Sequence, residues 1–167
     1  MDSNVYYLPG WIYRANEIEP YAQGKGLDIG CYRWPWPRSI PVEPDDRTAD
    51  YIKNTLGKSV YKTKGDDLTM IERDRFNYVF SSHCLEHIKD WKHALDEWVR
   101  VIKVGGYLIL YLPHPRRESY RKGVHPSHVN EFVFDMYYTH LKDRLDMVYG
   151  QSIPDKWDSQ LYIGKKI

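Results

Sequence analysis

The sequence predicts an α/β protein built on a doubly wound, mainly parallel sheet, and three observations carry that expectation. Short apolar, β-forming runs recur along the chain, a helical repeat lies between two of them, and the runs end in loops rich in Gly, Pro or Asp. Strands that alternate with helices pair in parallel through crossovers. At 167 residues the chain fits one domain, which at this size buries about two thirds of the surface its unfolded form exposes.

Residues 27–31 form an apolar run with one acid inside it and a Pro/Trp-rich loop behind it, the pattern of a buried parallel strand ending in a turn. Residues 39–43 are a second strand candidate, stopped by Pro44-Asp45-Asp46. A third, 59–63, ends before Gly65-Asp66-Asp67, and a fourth is the β-rich run 76–80. Between 90 and 103 the period changes: Trp91, Ala94, Leu95, Trp98, Val101 and Ile102 share one helical face, and Gly105-Gly106 stops that helix. The almost unbroken apolar run 107–112 reads as a strand buried on both faces. A last helix is expected over 130–141, then an antiparallel hairpin of strands 145–152 and 160–165 at the sheet edge. Only residues 32–38 separate the first two strands, so the first crossover is too short for a helix. Its Arg33-Trp34-Pro35-Trp36-Pro37 sequence predicts a rigid loop instead.

Composition excludes several function classes. With 24 Lys+Arg against 23 Asp+Glu, the net charge of +1 supplies no field to draw in nucleic acid. The start of the chain has neither the basic end nor the apolar run of a signal peptide, and no run of 18 apolar residues occurs. Secretion and membrane spanning are therefore not expected. Two cysteines, Cys31 and Cys84, are too few for a disulfide scaffold and read as free thiols of a cytoplasmic protein. The aromatic content, 15% with 15 tyrosines and 6 tryptophans, suits a ligand site, a homodimer interface or simply the core. Tyr6, Tyr7, Trp11 and Tyr13 serve either as a lid or as packing for the outer face of the sheet.

In an open parallel sheet, ligands bind beyond the carboxyl ends of the strands. The loops there hold Asp28 and Gly30, then Glu43, then Asp66 and Asp67, then Ser81, Ser82 and His83, and finally His114. An acid closing the second strand suits a vicinal diol, because a carboxylate offers two acceptor oxygens in a fork to two hydroxyl donors.

The stretch Gly26-Leu27-Asp28-Ile29-Gly30-Cys31 resembles the first motif of class I S-adenosylmethionine-dependent methyltransferases. Phe76-Asn77-Tyr78-Val79-Phe80-Ser81-Ser82-His83-Cys84-Leu85-Glu86-His87-Ile88 is similar to that family's FDxVxSxxxLEHxxD segment. Arg100-Val101, Lys103 and Gly105-Gly106 match its RVLKPGG turn. The resemblance, to the small, methyltransferase type 11-like domain, spans about 24–112. It implies a Rossmann-like fold, S-adenosyl-L-methionine as cofactor, and methyl transfer to an oxygen or nitrogen of a small-molecule or glycan-like acceptor. It further implies that Asp28 and Gly30 border the methionine end and that Glu43 takes the ribose hydroxyls. Asp67 or its neighbour Asp66 would face the adenine amino group, with Ser81 and Ser82 beside the sulfonium, while His87 packs rather than reacts. Tyr32 stands where the family's D-x-G-x-G pattern has its second glycine, so it either points away or forms a different wall of the cofactor site.

His83 and His114 end the strands that face the methyl group in such a fold, and either imidazole suits a proton acceptor for the attacking atom. His83, His114, His125 and His128 lack the close spacing of a metal site, so no metal is expected. A rival reading keeps the fold and the cofactor without catalysis. A nicotinamide-dependent oxidoreductase is disfavoured because no G-x-G-x-x-G follows the first strand.

Overall fold

The structure is a computed structural model that describes residues 9–167, so Tyr6 and Tyr7 lie outside the described residues. Six strands, β1 (Gly26–Ile29), β2 (Ser39–Val42), β3 (Phe76–Ser82), β4 (Ile102–Pro113), β5 (Leu145–Gly150) and β6 (Ser159–Lys166), form one sheet in the order β2-β1-β3-β4-β6-β5. The first four are parallel, and β6 and β5 run antiparallel to their neighbours. This is the mainly parallel, doubly wound sheet with a terminal hairpin that the sequence predicts.

The alternation of strand side chains divides the core in two. Leu108, Leu110 and Leu112 of β4, with Val79 of β3 and Leu27 and Ile29 of β1, pack on one face under helices α3 (Trp91–Val101) and α4 (Phe134–Leu141). Ile109 and Tyr111 of β4 and Tyr78 and Phe80 of β3 face the other side. Those residues meet Trp36 and the N-terminal helix α1 (Ala15–Ile18), with the 3-10 turn Gly10–Arg14 before it. No helix separates β1 from β2, as expected. Trp36, 5% exposed, fills the face that a crossover helix would cover, with Trp11 edge-on at 5.0 Å and Phe80 at 5.3 Å.

Three elements differ from the expectation. The third strand candidate narrows to a single parallel bridge between Val42 and Tyr61. Of 59–63 only Tyr61 packs on the core, and two backbone hydrogen bonds, from Tyr61 N to Pro41 O and from Glu43 N to Tyr61 O, are all that side of β2 receives. Helix α2 (Asp46–Asn54) grows out of the Pro44-Asp45-Asp46 turn, over residues to which the sequence reading assigns no element. Asp45 caps it, its carboxylate accepting from Thr48 N at 2.8 Å, and Thr48, Ala49 and Ile52 form its thin buried stripe. The last helix starts at Phe134, because 129–130 are tied to another segment: Val129 N and Asn130 N both donate to Glu86 O, and Asn130 Nδ2 donates to Ile88 O.

Helix α3 is capped by Asp90, which accepts from His93 N, and ends at Val101 where β4 begins at once, so the two glycines fall inside the strand instead of stopping the helix; Gly105 takes a left-handed φ of 80° where the pairing of β4 with β3 is irregular. Its central Trp98 is fully buried and donates from Nε1 to Gly65 O at 2.7 Å, tying the loop that carries Asp66 to the core. Trp98→Phe removes that donor and strands the carbonyl. Urea denaturation should register a loss of about 1–3 kcal/mol.

Candidate functional site

Two cavities open at the carboxyl ends of β1, β2 and β3. The larger, about 500 Å³, is walled by Gly30, Glu43, Gly65, Asp66, Cys84 and His87, and the smaller, about 230 Å³, by Trp11, Asp28, Trp34 and Ser82. Gly30, Tyr32 and His83 line both.

Glycine is required at position 30. Its φ is 71°, its N–H donates to Val42 O at 3.0 Å, and an added Cβ would lie 2.7 Å from Cys84 Cβ. Tyr32 takes a left-handed backbone, with φ 51°. An L residue pays about 1–2 kcal/mol for that conformation. The hydrogen bond from Tyr32 N to Glu43 Oε2, at 3.2 Å, helps hold it. The Tyr32 side chain is 59% exposed, so it stands out from the backbone rather than filling the cleft.

Glu43 follows β2 and is 7% exposed, with Oε1 accepting from Asp45 N. Burial raises its pKa, offset in part by these two backbone donors. Each oxygen keeps acceptor capacity toward the larger cavity. Asp66 also lines that cavity. Asp67 does not: it is exposed and accepts from Thr69 Oγ1 at 2.7 Å.

Asp28 projects from β1 to the opposite face from Leu27 and Ile29. Its Oδ2 accepts from Trp36 N at 2.6 Å, while its buried Oδ1 has no partner. Desolvation pushes its pKa up to about 8. Ser81 is fully buried and donates to Ile29 O at 3.1 Å, bracing β1 against β3, so only Ser82 of this pair reaches a cavity wall.

The two histidine candidates part company. His83, with a left-handed φ of 51°, sits between the cavities, with its Nε2 3.0 Å from Ser159 Oγ; burial lowers its pKa to about 4 and keeps the ring neutral. His114 lines neither cavity; its N–H donates to Asp158 O and its Nδ1 accepts from Arg116 N. Trp11, Trp34 and Cys84 are wall residues that sequence reasoning did not place at the cofactor. Trp11 packs the sheet face and lines the smaller cavity at once, whereas Tyr13 stacks on Trp157 at 4.1 Å.

The sequence profile of the family described as "Methyltransferase domain" matches residues 27–110, which run from Asp28 and Gly30 through Glu43 and His83 to the middle of β4. The chain belongs to that methyltransferase family. No curated protein matches it. Solved structures share the fold of this methyltransferase. One is the complex between the Haloferax volcanii Trm112 methyltransferase activator and the putative methyltransferase, with a TM-score of 0.77 at 13% identity over 93% of this chain and 89% of that one. A possible histamine N-methyltransferase from Thermotoga maritima gives 0.70 at 18% identity, covering 93% and 94%. An S-adenosylmethionine-dependent methyltransferase from Archaeoglobus fulgidus gives 0.72 at 16%, covering 92% of each chain. Among the described residues no helix is long and apolar enough to cross a membrane.

The buried Asp28 gives a pH signature. A carboxyl whose pKa is raised by folding contributes its full stability below the unfolded pKa, and that contribution is lost as pH rises through the folded value. Urea midpoints of the wild type should therefore fall between about pH 4 and pH 8. Asp28→Asn, which keeps an acceptor for Trp36 N, should show a shallower decline over the same window.

Proposed function

We propose that this methyltransferase transfers the methyl group of S-adenosyl-L-methionine to an oxygen or nitrogen of a small-molecule or glycan-like acceptor, as a single-domain cytoplasmic enzyme. The observation that carries the reading is Glu43. It places a buried carboxylate fork at the end of the second parallel strand, on the wall of a cavity large enough for a nucleoside. Both cysteines are free, which suits a reducing compartment.

In this reading Glu43 takes the ribose hydroxyls and Asp66, rather than Asp67, faces the adenine amino group. Asp28, with its unpartnered Oδ1, and Ser82 line the smaller cavity for the methionine end, and Gly30 leaves the backbone open to close approach. The cofactor supplies an already activated sulfonium methyl. The protein then has to align the acceptor and exclude water. His83, at the junction of the cavities, accepts a hydrogen bond or proton from the attacking atom. Its low basicity suits an amine nitrogen, which brings its own lone pair, better than a hydroxyl that must first be deprotonated. His114, held away from both cavities, has no such role here.

Calorimetry with S-adenosylmethionine, S-adenosylhomocysteine and a nicotinamide dinucleotide tests the cofactor. The first two should bind and the third should not. Glu43→Ala should weaken binding by about 1–3 kcal/mol, and unchanged affinity would remove Glu43 from the site. Release of S-adenosylhomocysteine with a panel of amines and hydroxylated acceptors separates an enzyme from a cofactor-binding scaffold. His83→Ala should lower that release about 10²- to 10⁴-fold with little change in cofactor affinity.

A further inference from the structure

We propose that Glu86, His87 and His128 bind one divalent cation of the imidazole-preferring first-row class, with Zn²⁺ its simplest representative. One ligand atom from each lies within 4.8 Å of the others.

The first support is a buried carboxyl without a partner. Glu86 is 1% exposed, and neither of its carboxylate oxygens has a hydrogen-bond partner. A buried carboxylate with no donor is costly unless a cation meets it.

The second support is the orientation of both imidazoles. His87 Nδ1 lies 3.0 Å from Ser127 O, and His128 Nδ1 lies 2.7 Å from Tyr120 O. A carbonyl oxygen only accepts, so in each ring Nδ1 carries the proton and Nε2 presents its lone pair. The two Nε2 atoms approach the same oxygen, Glu86 Oε1, at 3.6 and 3.8 Å. Those distances are too long for hydrogen bonds, and three acceptor atoms that converge without a donor between them present the arrangement a cation satisfies. Ligands about 2 Å from one tetrahedral ion stand about 3.4 Å apart; the two Nε2–Oε1 separations are within a few tenths of an ångström of that, and the set as a whole, spread over 4.8 Å, needs one imidazole to close in on the ion. Backbone carbonyls that fix the tautomer and direction of ligating histidines are the usual outer shell of such sites.

The third support is rigidity. Val129 N and Asn130 N clamp the segment after His128 onto Glu86 O, and the His125 ring stacks on His128 at 3.8 Å. Glu86 and His128 are therefore held in place before any ion arrives, and the exposed His87 ring closes on it. Two imidazoles and one carboxylate select zinc-like ions over Mg²⁺, which prefers oxygen ligands and keeps its water. Three protein ligands leave a further position for water or another oxygen, and His87 also walls the larger cavity. The inference does not depend on the methyl-transfer reading.

The test is calorimetric titration of the chelator-stripped protein with Zn²⁺ alone and with Mg²⁺ alone, together with melting temperatures. One equivalent of Zn²⁺ should bind and raise the melting temperature, and Mg²⁺ should not. His87→Ala, in an exposed ring, and Glu86→Gln, which keeps shape without charge, should each weaken Zn²⁺ at least about tenfold. His140→Ala should leave the affinity unchanged. No Zn²⁺ binding, preference for Mg²⁺, or undiminished affinity in both cluster variants would overturn the proposal. S-adenosylhomocysteine titrated into the same preparations tests the cofactor reading separately.

Discussion

The hydrogen bond from Trp36 N to Asp28 is the constraint on which the rest of the site depends. Asp28 lies inside a fully buried strand, so its carboxyl must find a donor within the sheet face it points to. Residues 30–38, too short for a helix, supply it. Once Trp36 is fixed, its ring closes the face over Phe80 and Trp11, and the chain from Gly30 to Tyr32 must turn back through two left-handed residues. That turn aims Tyr32 N at Glu43 and joins the ends of β1 and β2. One polar contact in the core thus sets both the packing of the second face and the geometry of the cleft.

The electrostatics follow from the same economy. Asp28 on the smaller cavity, Glu43 on the larger and Glu86 behind the cavity wall are all buried, and burial raises the pKa of each. Among the described residues none of the three has a Lys or Arg salt-bridge partner. Buried carboxyls without a cationic partner favour ligands that bring positive charge and hydrogen-bond donors, while Lys64 and Lys89 on the wall of the larger cavity balance that preference there.

Much of the scaffold was legible because burial on both faces leaves a plain signature. The apolar runs of β1, β3 and β4 and the 3.6-residue stripe of α3 are long or regular enough to read without neighbours. Helix α2 was not, since its buried stripe is short and its Asp45 cap looks like a turn. In the cleft, Gly30, Glu43 and His83 could be placed from strand ends alone. The roles of Tyr32 and His128 could not. A left-handed tyrosine has no sequence mark, and His128 reaches Glu86 only because two backbone amides anchor the following residues to its carbonyl.

The stubby link between β1 and β2 has a consequence for where the folding unit begins. Because residues 30–38 carry no helix, residues 9–18 take over as cladding for the second face, with Ile18 fully buried and Trp11 wedged against Trp36. A fragment trimmed to the matched family region, 27–110, would lay bare that aromatic surface and lose β6 from the flank of β4. The profile-matched centre of the chain thus leans on its flanks: segments that carry none of the motif residues are the walls that keep its two faces from water.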